Sequence, residues 1–303
     1  RQRYCSKNNR GLTDNNMKKL DTLVEDIYDT LSVLGEGESL DVSEEVLEEF
    51  GNSMKEALRH WANPTPRDKE TLRMSNIGKP LRQLWFDMKS ETEDTQKIEP
   101  HLFIKFLYGH LLEELVLFLV KLSGHEVSDE QKPVKVSNVH GHMDCKIDGE
   151  VIDIKTASSF AFRKFQNGTL AEDDPFGYLA QLSGYEEAEK TKAGGFLVMN
   201  KESGELTLHR PSFFDKPNAK NRIREVKKAL RLDTPPDLCY TTIPEGKSGN
   251  MKLPRGCTYC RHKNECHKDA NDGQGLRVFQ YSKGLMYLTK VVKEPNVKEI
   301  TRK

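Results

Sequence analysis

Apolar positions recur at helical steps early in the chain and gather into short continuous runs in its middle. Within residues 14–60, Leu20, Leu23, Ile27 and Leu31 return every three or four residues, which predicts a helix. Ser43 followed by Glu44 and Glu45 reads as a second start, with a hydroxyl cap and acids in the first turn. Val46, Phe50, Met54 and Leu58 continue one apolar face until Asn63-Pro64-Thr65-Pro66 breaks it. This helical region predicts a cap packed on the core, or a guide for a strand of nucleic acid. The spacing predicts the strongest helix over 101–122, where Leu102, Phe103, Phe106, Leu107, Leu111, Leu115, Phe118 and Leu119 crowd one wide face. Gly109 inside it costs about 1 kcal/mol relative to Ala, so close approach by a sheet is expected there.

Strands follow Gly124-His125. Residues 133–136 alternate and open with Pro133, as an edge strand allows. Asp148-Gly149 suits a two-residue hairpin loop. Behind it, Val151, Ile152 and Ile154 read as a buried strand. Residues 156–159 read as a loop whose small hydroxyls either contact phosphate or simply turn the chain. Residues 178–188 predict a helix with Gln181 and Tyr185 four apart on one face. Residues 195–199 predict a buried strand with 205–209 as its hairpin partner. Residues 219–231 predict a helix whose apolar stripe is Ile223, Val226 and Leu230. Ser75 is a candidate cap for a helix carrying Arg82 and Trp85, with Arg82 directed at a phosphate, a carboxylate or a structural ion pair.

Two charges interrupt the buried run. Asp153 and Lys155 alternate with Ile152 and Ile154, and burying either charge costs several kcal/mol, as an order of magnitude, unless it is compensated. A divalent cation shared with Asp144, brought alongside by the hairpin, would compensate Asp153. His110 and Glu113 are three apart on the preceding helix and so point to similar sides. Glu113 is the candidate for contact with the ion or its water and His110 the second, against the alternative of a surface glutamate.

Composition narrows the class. The 303 residues carry 47 Lys and Arg against 47 Asp and Glu. That balance argues against a general polyanion-binding surface but hides local asymmetry. Residues 36–50 are strongly acidic and 216–231 strongly basic, so helix 219–231 is either a solvated face or a nucleic-acid contact. No run of 18 apolar residues exists, which predicts no membrane span, and residues 1–11 lack the apolar centre of a signal peptide. Cys257, Cys260 and Cys266 make C-x2-C-x5-C. Thiols at this spacing wrap one metal, and His262 or His267 would complete a zinc site; packing cysteines are the alternative. No phosphate-cradling Gly-x4-Gly-Lys-Ser/Thr loop occurs.

Asp144, then Asp153-Ile154-Lys155, resembles the PD-(D/E)xK nuclease motif, with Met143 in place of the proline. Gly109 to Glu113 is similar to the Gly-x-x-x-(Glu or His) helix motif of that superfamily, and Gln181 to Tyr185 to the Gln-x-x-x-Tyr motif of its RecB-type, lambda-exonuclease-like branch. The four elements stand in the family's order, and the likeness covers roughly 75–270. It implies an α/β fold with a restriction-endonuclease-like core, a mixed central sheet flanked by helices. The expected divisions are a helical N-terminal region (1–74), the nuclease core (75–215), and a basic helix with a cysteine-rich metal module (216–303). It implies Mg²⁺ or Mn²⁺ held by Asp144, Asp153, the carbonyl of Ile154 and Glu113, with Lys155, His110, Gln181 and Tyr185 at the same site. It implies that Cys257, Cys260 and Cys266 supply three ligands of a [4Fe–4S] cluster, or bind Zn²⁺, the fourth ligand being Cys5, Cys239, His262 or His267. The expected activity is a DNA exonuclease of recombination or repair, similar to phage-encoded enzymes. It would act in the cytoplasm, in company with single-strand-binding or recombination proteins. A structure-selective endonuclease and a non-catalytic DNA-binding protein are the alternatives.

Overall fold

A computed structural model describes residues 18–64, 71–89 and 100–300. Helices α1 (Leu23–Gly35), α2 (Glu44–Ala62), α3 (Leu81–Lys89) and α4 (Pro100–Leu122) come first. Short strands β1 (Val127–Ser128), β2 (Lys132–Val136), β3 (Val139–Met143) and β4 (Cys145–Ile147) lead to the long β5 (Glu150–Ala157). Helices α5 (Ser159–Gln166) and α6 (Tyr178–Glu189) then carry the chain to β6 (Gly195–Asn200), β7 (Leu206–His209) and α7 (Ala219–Ala229). The last part holds β8 (Ile243–Pro244), β9 (Met251–Lys252), β10 (Arg277–Tyr281) and β11 (Gly284–Lys290).

The central sheet runs β1-β4-β5-β6-β7. Its β5–β6 pair is parallel and the rest antiparallel, so it is mixed. A parallel pair needs a long crossover, which α5 and α6 supply. Asp148 (φ 49°) and Gly149 (φ 80°) both take the left-handed turn conformation that the β4–β5 hairpin was expected to use.

Side chains alternate across β5, and the two faces differ in kind. Ile152 and Ile154 bury against Leu23 and Ile27 of α1 and Val116 and Val120 of α4. Val151 and Ala157 pack on the other face with Phe162 and Phe165 of α5, Leu182 and Tyr185 of α6 and Ile223 of α7. Asp153 and Lys155 share that second face. At roughly 1.5–3 kcal/mol per fully buried apolar side chain, these two layers fix the position of β5. β10, β11, β9 and β8 form a separate antiparallel sheet with its own core of Leu253, Cys257, Leu276, Val278 and Tyr287.

Helix boundaries follow their local signals. Ser43 Oγ accepts a hydrogen bond from Val46 N at 3.3 Å, and α2 ends at Ala62 ahead of the proline pair. Other expectations are corrected. Ser75 does not cap α3: it lies within a 3₁₀ turn (Met74–Asn76), six residues before α3 begins. Residues 156–157 are not loop, because β5 continues to Ala157 alongside β6. The wide face of α4 is only half buried. Of the eight residues expected on that face, Phe103 and Phe106 are exposed and the other six half-buried, while the fully buried residues are Val116, Leu117 and Val120 beside it. The first turns of α4 meet α2, where Trp61 Nε1 donates to the Phe103 carbonyl at 2.9 Å. Nor does a sheet crowd Gly109: a Cβ built there meets nothing within 4 Å.

Glycine is required where backbones touch. A Cβ on Gly177, or on Gly78 facing it, would come within 2.3 Å of the other's backbone. Gly177 also holds φ 76° at the entry to α6. Neither position has room for a larger residue.

Candidate active site

Asp144 occupies the break between β3 and β4, and Asp153 the centre of β5. The Ile154 amide donates to Asp144 Oδ2 at 2.8 Å, so the strand backbone fixes the first carboxylate beside the second. The two carboxyls are close enough to share a hydrogen bond. Lys155 Nζ stands 2.5 Å from Asp153 Oδ2. That oxygen is buried, and the Lys155 ammonium is what compensates its charge. Gln181 Nε2 donates to Asp153 Oδ1 at 3.2 Å and to Tyr185 Oη at 2.9 Å. The Gln and Tyr of α6 thus act as one bracket on the second acid.

Protonation reflects this crowding. Burial, the charge of Asp144 and that of Asp153 push the Glu113 carboxyl up to about 8, although Lys155 opposes them. Burial and Asp153 push Asp144 up to about 7. Burial also raises Asp153, against the pull of Lys155. The same burial would lower Lys155, but Asp153 and Asp144 outweigh it and hold the ammonium charged. Three carboxyls thus stand above their usual range around one fixed cation, raised by burial and by each other's charge.

The structure therefore brings together Glu113, Asp144, Asp153, Lys155, Gln181 and Tyr185. His110 stays outside, exposed on α4 and without a hydrogen bond or ion pair among the described residues. Gln131 Nε2 reaches Glu113 Oε1 at 3.4 Å. Tyr178 was missed by sequence reasoning. Its ring lies 5.3 Å from Lys155 Nζ and stacks at 5.4 Å on exposed Phe176. Only the packing of α6 over β5 reveals that contact, so no sequence signal would have given it.

The thiols gather elsewhere. Cys257, Cys260 and Cys266 line one small cavity together with Cys239, Arg82, His262 and His267. Arg82 meets no carboxylate among the described residues. Its Nε donates to Cys266 Sγ at 3.1 Å, its Nη1 to the Pro236 carbonyl, and its guanidinium lies over Phe86. The Gln83 amide donates to the Cys239 sulfur and the His262 amide to the Cys260 sulfur. Burial, then the neighbouring thiols, pushes Cys257 up to about 12. His262 Nε2 is committed to Asp87 at 2.8 Å, while buried His262 Nδ1 and His267 Nε2 have no partner. Cys5 lies outside the described residues. Among the described residues, no group of three or more His, Cys, Asp or Glu side chains is arranged to hold a metal ion as it stands.

No protein-family model matches this chain, and no curated protein matches it. Eight solved chains do. The crystal structure of SSO0001 is 16% identical, over 71% of this chain and 94% of its own, with a TM-score of 0.37. An alkaline exonuclease, LHK-Exo of Laribacter hongkongensis, is 12% identical over 54% of this chain and 90% of its own, with a TM-score of 0.35. The same enzyme in complex with dAMP gives 12%, the same coverages and a TM-score of 0.34.

Proposed function

We propose that this chain is a metal-dependent DNA nuclease, acting as an exonuclease on phosphodiester bonds in DNA processing, recombination or repair. The observation that carries the reading is the ion pair of fully buried Asp153 with Lys155, flanked by Asp144 and Glu113, on a strand whose Ile152 and Ile154 bury on the opposite face. The donor set is all oxygen, which suits hard ions. The buried Asp153 Oδ2, which faces only the Lys155 ammonium, is an atom such an ion would share. Asp144, Asp153 and Glu113 would hold Mg²⁺ or Mn²⁺, with the Ile154 carbonyl as a further oxygen. Such an ion supplies Lewis acidity and lowers the pKa of a coordinated water.

The chain's own groups do the rest. Lys155, held charged by Asp153, places a fixed ammonium where negative charge would grow on the scissile phosphate. Gln181 and Tyr185 keep Asp153 from rotating. Burial of these groups spares them reorganisation when the charge moves.

The thiol cavity would hold a [4Fe–4S] cluster or Zn²⁺ through Cys239, Cys257, Cys260 and Cys266. Four sulfurs meeting in one cavity, three of them receiving N–H donors, suit a charged sulfur centre. Its role would be structural, tying α3 to the C-terminal segment.

The test is digestion of matched linear and circular duplexes with Mg²⁺, Mn²⁺ or a chelator, with iron and zinc assayed on the same sample. Nucleotide release from linear DNA only, abolished by chelation, is expected. Nicking of circles would reassign it as an endonuclease, and metal-independent or absent cleavage would overturn the reading.

A further inference from the structure

The active site leaves unused a strongly basic concavity on the outer face of α7. A cavity of ≈ 540 Å³ opens between this helix and the β2–β3 turn, floored by Ile223. Its rim is Ser137, Lys220, Arg224, Lys227, Lys228 and Arg231, and no carboxylate lines it. The apolar side of α7 is spent on the core, where Ile223 and Val226 are buried, so the helix cannot turn these cations away.

Charge neutralisation within the protein is sparse here. Lys220 pairs with Glu187 at 2.6 Å. Lys227 Nζ donates to the Ser137 carbonyl at 2.7 Å, and Arg224 Nη2 to Asn221 Oδ1 at 2.5 Å. Lys228 and Arg231 are exposed and make no ion pair among the described residues. Four of the five cations thus lack an acid, in a chain whose charges balance as a whole. Solvated lysines alone would need no such shared concavity, and a cluster of like charges on one helix face destabilises that helix.

The spacing identifies the ligand class. Lys220, Arg224 and Lys228 follow each other at four-residue steps, and Lys227 and Arg231 repeat the step beside them. From Lys220 to Arg231 the stripe extends about 16 Å at ~1.5 Å per residue. A single phosphate would engage one or two of these groups. A nucleic-acid strand, with a phosphate every ~3.4 Å of helix axis, presents charge over the whole stripe.

We propose that the α7 concavity is a second DNA-binding site, seating the phosphate backbone of duplex DNA away from the carboxylates and without reading its sequence. The choice of DNA as the polyanion rests on the nuclease reading. The site would raise affinity and hold the duplex between cleavage events. It predicts binding that weakens uniformly across sequences when the stripe is altered.

The experiment uses the full chain carrying Asp153→Ala, so that binding is read without cleavage, and an end-labelled duplex titrated at several salt concentrations. Lys228→Glu with Arg231→Glu is expected to raise Kd about tenfold or more. It should also flatten the slope of log affinity against log salt by roughly two contacts' worth, at ~0.9 per phosphate. Both residues are exposed, so the melting temperature is expected to stay put. Lys283→Glu with Lys290→Glu makes the same change of net charge elsewhere and is expected to leave the slope alone. An unchanged Kd and slope in the α7 variant, or an equal loss in the control, would overturn the site. So would competition by polyglutamate as strong as that by unlabelled duplex. Cleavage by the chain with Asp153 intact is scored separately: its absence sinks the nuclease reading, whereas an α7 loss of DNA binding would still stand.

Discussion

The carboxylate cluster and the thiol cavity solve similar problems with opposite means. Each collects groups that would carry negative charge in a covered place. At the first, the protein brings its own cation, Lys155, two residues along the same strand from Asp153. At the second, the cation comes from α3: Arg82 donates to a sulfur 184 residues further on. Carboxyls raised only to about 7 and 8 stay near ionisation at neutral pH. A thiol pushed to about 12 does not, and needs a bound metal to become a ligand. On the proposed reading, the oxygen site would exchange its ion and the sulfur site would keep its own.

The comparison breaks most sharply at Asp153. Asp153→Ala or Lys155→Ala is expected to cut cleavage by at least about 10²–10³-fold. Circular dichroism should remain native, because the apolar face of β5 is untouched. Full cleavage by either variant would remove the chemistry assigned to this site. Cys257→Ser should do the reverse, losing metal content and roughly 2 kcal/mol or more of stability, several degrees in melting temperature. Any fall in cleavage should be far smaller than at Asp153, as activity measured below the melting transition would show.

Proton linkage separates the sites more finely. Glu113, Asp144 and Asp153 have folded-state pKa values above their unfolded ones, so the metal-free fold binds more protons than the unfolded chain. Stability from these groups is then greatest at low pH and is lost as pH rises from about 4 towards 8. A cation preferring the ionised carboxyls should oppose that loss. The stabilisation on adding Mg²⁺, read as a rise in melting temperature, should grow between pH 5 and 8, reaching about 2.7 kcal/mol where the ion is in hundredfold excess over Kd. A gain independent of pH would place the ion elsewhere. The smallest effect belongs to Gly109→Ala. With open space around Gly109, alanine is expected to stabilise α4 by up to about 1 kcal/mol and leave cleavage unchanged. A loss of activity would mean that glycine matters to the site and not only to the helix.

What was legible in the sequence follows the distance over which each feature is built. The β4–β5 hairpin, Asp153 and Lys155 lie within a dozen residues, and alternation alone puts both charges on one side. Gln181 and Tyr185 were legible as a helix face, though not the hydrogen bonds that join them to Asp153. The half-exposure of α4 was not, because its period is the same whether a sheet or solvent faces it. The same holds for Arg82 and Cys239, whose meeting with Cys266 depends on three segments closing together. The β8–β11 sheet went unseen because two of its strands are two residues long and carry no period to detect.

The touching backbones of Gly78 and Gly177 carry a mechanical implication. Gly78 lies four residues before Arg82, and Gly177 four before Gln181. The route from the sulfurs to the bracket on Asp153 is therefore one short stretch of chain on each side of a contact without side chains. Such a joint has no rotamers to absorb a displacement. Distortion at the cysteines would reach the second acid undamped, and a methyl group at either glycine would force both ends apart together.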